Sequence, residues 1–208
     1  YKEENWSGKI VVDVGPECGD TPLYYANLGA KVYAFEPIKA HYDAMVRNIE
    51  LNPHLAERIT PINAAVGKDG MLTFYQNTKA DIAEMASYVY NVHGKDVKTT
   101  QVKGYSFKSI FTEFNISHID MFKIDCKGCE FFLNEEVLKN VNMVKIEYSI
   151  HSTEHKSRLL DLLFASEKFN MLWGWPKRQE FEKVTTVYSK FVLDKPGYYT
   201  DFHADSHK

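Results

Sequence analysis

The chain has 208 residues, of which 44% are hydrophobic and 25% charged, an ordinary globular composition that excludes wholesale disorder. Lys and Arg total 25 against 28 Asp and Glu, a formal net charge of -3, so no broad basic face is expected and nucleic acid is an unfavoured partner. No run approaches the ~18 apolar residues of a membrane span, and three cysteines are too few for a disulfide framework. Tyr1 to Ser7 is charged and has no apolar stretch, so no secretory leader is expected. The length suits one domain, residues 1–208.

Two kinds of segment alternate along the first two thirds. Lys9 to Val14 is a short apolar run that reads as a buried strand. Thr21 to Leu28 reads as a helix with Pro22 in its first turn, where the missing N–H costs nothing, and Gly29 stops it. Lys31 to Phe35 is a second strand. Pro37 to Asn52 is an amphipathic helix with Tyr42, Met45, Val46 and Ile49 on one face. Ile59 to Val66 reads as a third strand, and Asp69-Gly70 as the turn of a hairpin over Ala65 to Tyr75. Gln76 to Lys98 has no period, and long irregular stretches in compact domains are usually functional.

Phe107 to Phe114 reads as a short helix, His118 to Cys126 as a fourth strand, and Asn134 to Val141 as the helix after it. Met143 to Ile150 is a fifth strand and Ser157 to Phe169 an amphipathic helix carrying Leu159, Leu160, Leu163 and Phe164. Met171 to Trp175 and Lys183 to Leu193 read as closing strands, and Tyr198 to Lys208 as a polar end. Such alternation implies an α/β fold with a mostly parallel, doubly wound sheet and helices on both faces. Ligands in these sheets bind outside the carboxyl ends of the strands. That rule selects Asp13 to Asp20, Glu36, Asn63 and Asp125 to Glu130.

Gly15 and Gly19 lie four apart in a strand-to-helix turn, a spacing that fits neither the dinucleotide nor the phosphate-loop pattern. The turn either admits a ligand or is simply tight. Glu36 follows about 20 residues later, where a carboxylate accepts the hydroxyls of a ribose, unless it is a plain strand-end acid. Together these features call for a nucleoside-bearing cofactor without a polyphosphate. Asp125 and Glu130 flank Gly128 past the fourth strand; they either face the same crevice as Asp13 or cap a helix. Cys126 and Cys129 form a C-x-x-C that reads as a redox pair, half of a zinc site, or two small buried side chains. His151 ends the fifth strand and is a candidate base, or a surface histidine.

In this order the segments resemble the FkbM family of S-adenosylmethionine-dependent methyltransferases over most of Ile10 to Phe169. The blocks are Asp13-Val-Gly-Pro-Glu-Cys-Gly19, Leu28-Gly-Ala-Lys-Val-Tyr-Ala-Phe-Glu-Pro37, Arg47-Asn-Ile-Glu-Leu-Asn52, Ile62-Asn-Ala-Ala-Val-Gly67, Ile119-Asp-Met-Phe-Lys-Ile-Asp125, and Ile146-Glu147 through His151. The resemblance implies a Rossmann-like class I methyltransferase fold with seven strands, the last antiparallel, and S-adenosylmethionine as cofactor. It places the methionine part at Gly15 and Gly19, the ribose at Glu36, the adenine beside Asn63, and the amino group and sulfonium near Asp13 and Asp125. Two departures stand out. Pro16-Glu17 replaces the family's Ala-Asn, with Glu17 retained as a cofactor-orienting candidate, and Lys127 replaces an acid beside the acceptor site.

The chemistry expected is methyl transfer to a hydroxyl of a sugar or other small glycan-like acceptor. Much of the catalysis is then positioning, with the hydroxyl proton taken by a base. His151, Glu130 and Asp125 are the candidate bases, and Lys123 or Lys127 could stabilise a developing alkoxide. Asp125 and Glu130 could also recruit a divalent cation, but the resemblance implies none and no metal is expected. Gln76 to Lys103, with Tyr88, Tyr90, His93 and Tyr105, is the expected acceptor pocket. One rival is an RNA ribose 2′-O-methyltransferase using Lys123, Asp125, Lys145 and Glu147; the other is a binding module that kept the fold and lost transfer. Cytoplasmic residence is expected from the missing leader and the intracellular cofactor. Oligomeric state has no sequence signal.

Overall fold

In the computed structural model, the described residues are 5–77, 97–126, 128–150, 170–174 and 187–194. In chain order the elements are β1 (Ile10–Val14), α1 (Asp20–Asn27), β2 (Lys31–Phe35), α2 (Lys39–Glu50), α3 (Pro53–Ala56), β3 (Ile59–Ile62), β4 (Ala65–Val66), β5 (Gly70–Asn77) and β6 (Val97–Tyr105). Then follow α4 (Phe107–Glu113), β7 (Ile119–Ile124), a short 3-10 turn (Cys129–Phe132), α5 (Glu135–Leu138), β8 (Val141–Ile150), β9 (Asn170–Gly174) and β10 (Val187–Asp194).

Seven strands form the main sheet in the order β3-β2-β1-β7-β8-β10-β9. The pairs from β3 through β8 are parallel, whereas β10 runs antiparallel to β8 and to β9. This is the seven-stranded arrangement with a reversed last strand that the sequence blocks imply. Central parallel strands are covered on both faces, so they read as continuous apolar runs. Val12, Val14, Phe35, Phe122 and Ile124 pack with Phe107 and Ile110 on one face. Val11, Val32, Ala34 and Met121 pack with Tyr25, Met45 and Ile49 on the other. Alternation along a strand puts Asp13 on the face of Val11, and the register sets it between Ala34 of β2 and Lys123 of β7. Among the described residues, no helix is long and apolar enough to cross a membrane.

The middle of the chain departs from the sequence reading. The third strand ends at Ile62, because the Asn63 side chain donates to the carbonyls of Glu36 and Pro37 and draws the chain out of the ladder. Ala65 to Tyr75 is not a hairpin. β4 pairs in parallel with β6, and β5 pairs antiparallel with β6, making a separate three-stranded sheet. Asp69 does not close a two-residue turn; its carboxylate accepts from the Ser106 amide at 2.8 Å and from the Ser109 hydroxyl, tying the turn to the start of α4. Part of the stretch read as irregular, Val97 and Lys98, is strand β6. After β7 the helix is shorter than expected: Asn134 caps the amide of Val137, α5 ends at Leu138, and Val141 already belongs to β8. The helix read over Ser157 to Phe169 and the polar end from Tyr198 lie outside the described residues.

Candidate cofactor site

The site is built where β1, β2 and β7 end together. Parallel pairing continues one step past the strands: Gly15 N donates to the Phe35 carbonyl at 3.0 Å, and Asp125 N donates to the Val14 carbonyl at 2.9 Å. Gly15 has φ +80°, and a Cβ there would run into the Asp125 carbonyl. Gly19 has φ +92°, and a Cβ there would stand 2.7 Å from the Met45 side chain of α2. Both positions need glycine, but the crowding at each comes from the protein's own atoms, on β7 and on α2. The turn is also held from α2 by Asn48, whose amide donates to the Cys18 carbonyl at 2.8 Å.

Glu36 is buried just past β2, and each of its carboxylate oxygens accepts one backbone N–H. Glu17 N donates to Oε2 at 3.0 Å and Ile38 N donates to Oε1 at 2.8 Å. Burial pushes Glu36 up to about 7, against the pull of these two amides; the charges of Glu17 and Asp13 add to the rise. His41 Nδ1 stands 3.9 Å from Oε1. Glu17 itself has φ 52°, left-handed backbone that costs a non-glycine residue about 1 kcal/mol. Its side chain is exposed, so its visible contribution is through the backbone amide. The Asn that the family carries at this position tolerates that conformation better.

Asp13 is fully buried, and Lys123 Nζ lies 3.0 Å from its Oδ1. At that distance the ammonium and carboxylate form a close ion pair, in which both charge and hydrogen bonding favour the charged forms. Burial raises Asp13 to about 6, and Lys123 restrains the rise, while Asp125 and Asp20 add to it. Burial works against the charge on Lys123, but Asp13 and Asp125 outweigh it and leave Lys123 above its ordinary value. Lys123 also donates to the Gly15 carbonyl at 3.1 Å. It thus sits at the Gly15 turn, beside Asp13.

Asn63 directs its amide N–H groups to the backbone after β2, leaving Oδ1 as an acceptor at the rim. Glu130 is buried in the 3-10 turn, where Gly128 N donates to its Oε2 at 2.8 Å and Cys126 Sγ lies 3.4 Å from the same oxygen. Cys126, Cys129 and Glu130 form a compact group of potential metal ligands, but the two sulfurs are joined as a disulfide and offer no thiolate pair in this state. Tyr105 packs edge-on against Phe35 and Phe114, so its ring belongs to an aromatic cluster against the core. His151, Lys127, Tyr88, Tyr90 and His93 lie outside the described residues. Sequence reasoning missed the brace from Asn48 and the pairing of Lys123 with Asp13. The former was hidden in the Arg47-to-Asn52 block, and the latter needs the β1–β7 register.

The sequence profile of the methyltransferase FkbM domain matches residues 13–173. The chain belongs to the methyltransferase FkbM domain family. It is an S-adenosylmethionine-dependent methyltransferase of the Rossmann-like class I fold. Solved structures agree on the fold. An rRNA methylase from Streptococcus thermophilus aligns with TM-score 0.53 and 14% identity, covering 93% of this chain and 90% of that one. A candidate rRNA methylase from Clostridium thermocellum aligns with TM-score 0.53 and 9% identity, covering 91% and 89%. A candidate methyltransferase from Streptococcus mutans, solved with S-adenosylhomocysteine, aligns with TM-score 0.50 and 11% identity, covering 91% and 89%. No curated protein matches the chain significantly.

The residues present fit the cofactor of this FkbM-domain methyltransferase. Asp13 keeps a buried oxygen, Oδ2, with no hydrogen-bond partner among the described residues, which is costly unless a ligand or water completes it. Glu36 keeps lone pairs on both oxygens after accepting one amide each, as a carboxylate holding two ribose hydroxyls requires.

Proposed function

We propose that this methyltransferase O-methylates a hydroxyl of a sugar or other small glycan-like acceptor, and that residues 1–208 form one methyltransferase domain. The observation that supports this acceptor class is the charge at the strand ends. Asp13, Glu36 and Asp125 gather there, and Lys123 is already engaged with Asp13. A strand end rich in carboxyl groups disfavours a phosphate backbone and suits a neutral, hydroxyl-bearing molecule. Cytoplasmic residence belongs to the same reading, because the cofactor is intracellular.

When bound, S-adenosylmethionine supplies an electrophilic methyl group on a good leaving group. The protein's part is then to hold the acceptor oxygen in line and to take its proton. Glu36 and Asn63 would hold the ribose and adenine, and the Gly15–Gly19 turn would carry the amino-acid end. Asp125 is the favoured base. It directly follows β7, with its N–H on the Val14 carbonyl, and is only partly buried, whereas Glu130 is buried. His151, next in sequence after Ile150, remains the second candidate.

The RNA reading has one observation of its own: Lys123 and Lys145 are register neighbours on β7 and β8, on the face that carries Asp125. Transfer of labelled methyl to a panel of glycosides and to total RNA separates the two. Label in the sugar fraction, abolished by Asp125→Asn, is expected. Label in RNA alone, falling steeply with added salt, would replace the sugar reading.

A further inference from the structure

We infer that Lys123 reads the carboxylate of the cofactor's amino-acid end, so that Lys123 and the carboxylates around it together recognise a zwitterion. This deepens the cofactor assignment above and rests on it. An ammonium has three N–H donors. One goes to the Gly15 carbonyl at 3.1 Å, and a second faces Asp13 Oδ1 at 3.0 Å, which leaves a third. The lysine therefore retains donor capacity directly at the glycine turn. Its side chain keeps 14% of its surface exposed, while that of Asp13 keeps none, so Lys123 is the member of the pair that reaches the crevice.

Position and charge support the same role. Lys123 is paired in register with Asp13 on the central strands, which fixes the root of both side chains. Its anionic neighbours keep it cationic, so it is a permanent partner for a carboxylate. The ligand's own ammonium would then meet the anions around it. The charged groups facing Asp13 are Lys123 on β7, Asp125 after it, Asp20 on α1 and Glu36 after β2, with Lys145 beside Lys123 on β8. Lys123, set among these four carboxylates, reads an amino acid in both its charges. Neutral and nucleoside ligands would not need that arrangement.

Three ligands test the assignment by calorimetry on the full chain: S-adenosylmethionine, its decarboxylated analogue, which keeps the ammonium, and 5′-methylthioadenosine, which lacks the whole amino-acid end. Wild type is expected to prefer S-adenosylmethionine over the decarboxylated analogue by about tenfold or more, ~1.4 kcal/mol. Lys123→Met should lose that preference, Lys123→Arg should retain much of it, and 5′-methylthioadenosine should bind wild type and Lys123→Met alike. Persistence of the preference in Lys123→Met would overturn the proposal. So would an equal loss for all three ligands, which marks a merely structural lysine. If wild type binds none of them, the cofactor placement fails as well, and that outcome is recognised by the absence of any adenosyl binding.

Discussion

Two buried glutamates stand just past parallel strands, Glu36 after β2 and Glu130 after β7, and they are built into the protein in different ways. Glu36 accepts amides from the β1–α1 turn and from the residue that opens α2. It therefore joins three segments at the mouth of the sheet. Glu130 accepts from Gly128, two residues away, and lies against Cys126 of the same turn. Similar burial thus goes with different hydrogen bonds: Glu36 ties the β1–α1 turn to the start of α2, while Glu130 holds the Gly128 amide two residues away.

Glu36→Ala should give the largest effect. It removes the ribose acceptor and leaves two buried amides without partners, so S-adenosylhomocysteine affinity should fall by about tenfold to a hundredfold, ~1.4–2.7 kcal/mol. Calorimetry beside a melting curve checks it, and unaltered affinity would erase the distinction between the two glutamates.

A pH series is expected to come next in size. Glu36 at about 7 and Asp13 at about 6 are both raised, so each takes up a proton as pH falls through those values. Cofactor affinity should weaken by roughly tenfold between pH 8 and pH 6, since the ionised carboxylates are the stronger acceptors. The free protein should move the other way. The native state holds more protons than the unfolded chain between the ordinary carboxylate range, ~4, and ~7, so these groups make stability fall as pH rises through that window. Melting of ligand-free protein over the same series measures it, and Asp13→Asn and Glu36→Gln should flatten the slope. A flat wild-type profile would show that neither group is held as described.

Glu130→Ala should act on stability rather than on the cofactor. Losing the acceptor of the Gly128 amide should lower stability by about 1–3 kcal/mol, with S-adenosylhomocysteine affinity within about twofold of wild type. A matching loss of affinity would make the β7 turn part of the cofactor site and remove the contrast.

The strands of the central sheet were legible because both faces are buried, and Lys31 to Phe35 was read to the residue. The candidate residues Asp13, Glu36 and Asn63 were reached by the strand-end rule, since the rule depends only on where apolar runs stop. The need for glycine at 15 and 19 was legible as a tight turn, but its source was not: the Asp125 carbonyl and Met45, distant in sequence, are what crowd the two positions. Asp69-Gly70 misled more fully, because its turn signal is local, while the Asp69 carboxylate answers to Ser106 and Ser109 almost 40 residues on. β6 was invisible for the same reason: its pairing with β4 and β5 is non-local, and its Lys- and Thr-rich sequence has no apolar period.

The brace between Asn48 and the Cys18 carbonyl, with Met45 seated against Gly19, makes the cofactor turn a dependent of α2. A split or circularly permuted version of the enzyme must therefore keep residues 10–52 on one piece. Cut between Phe35 and Lys39, the two halves would each retain their strands or helix, yet the turn would take its binding shape only on reassembly. Ligand affinity in such a pair would report the docking of α2 against the turn.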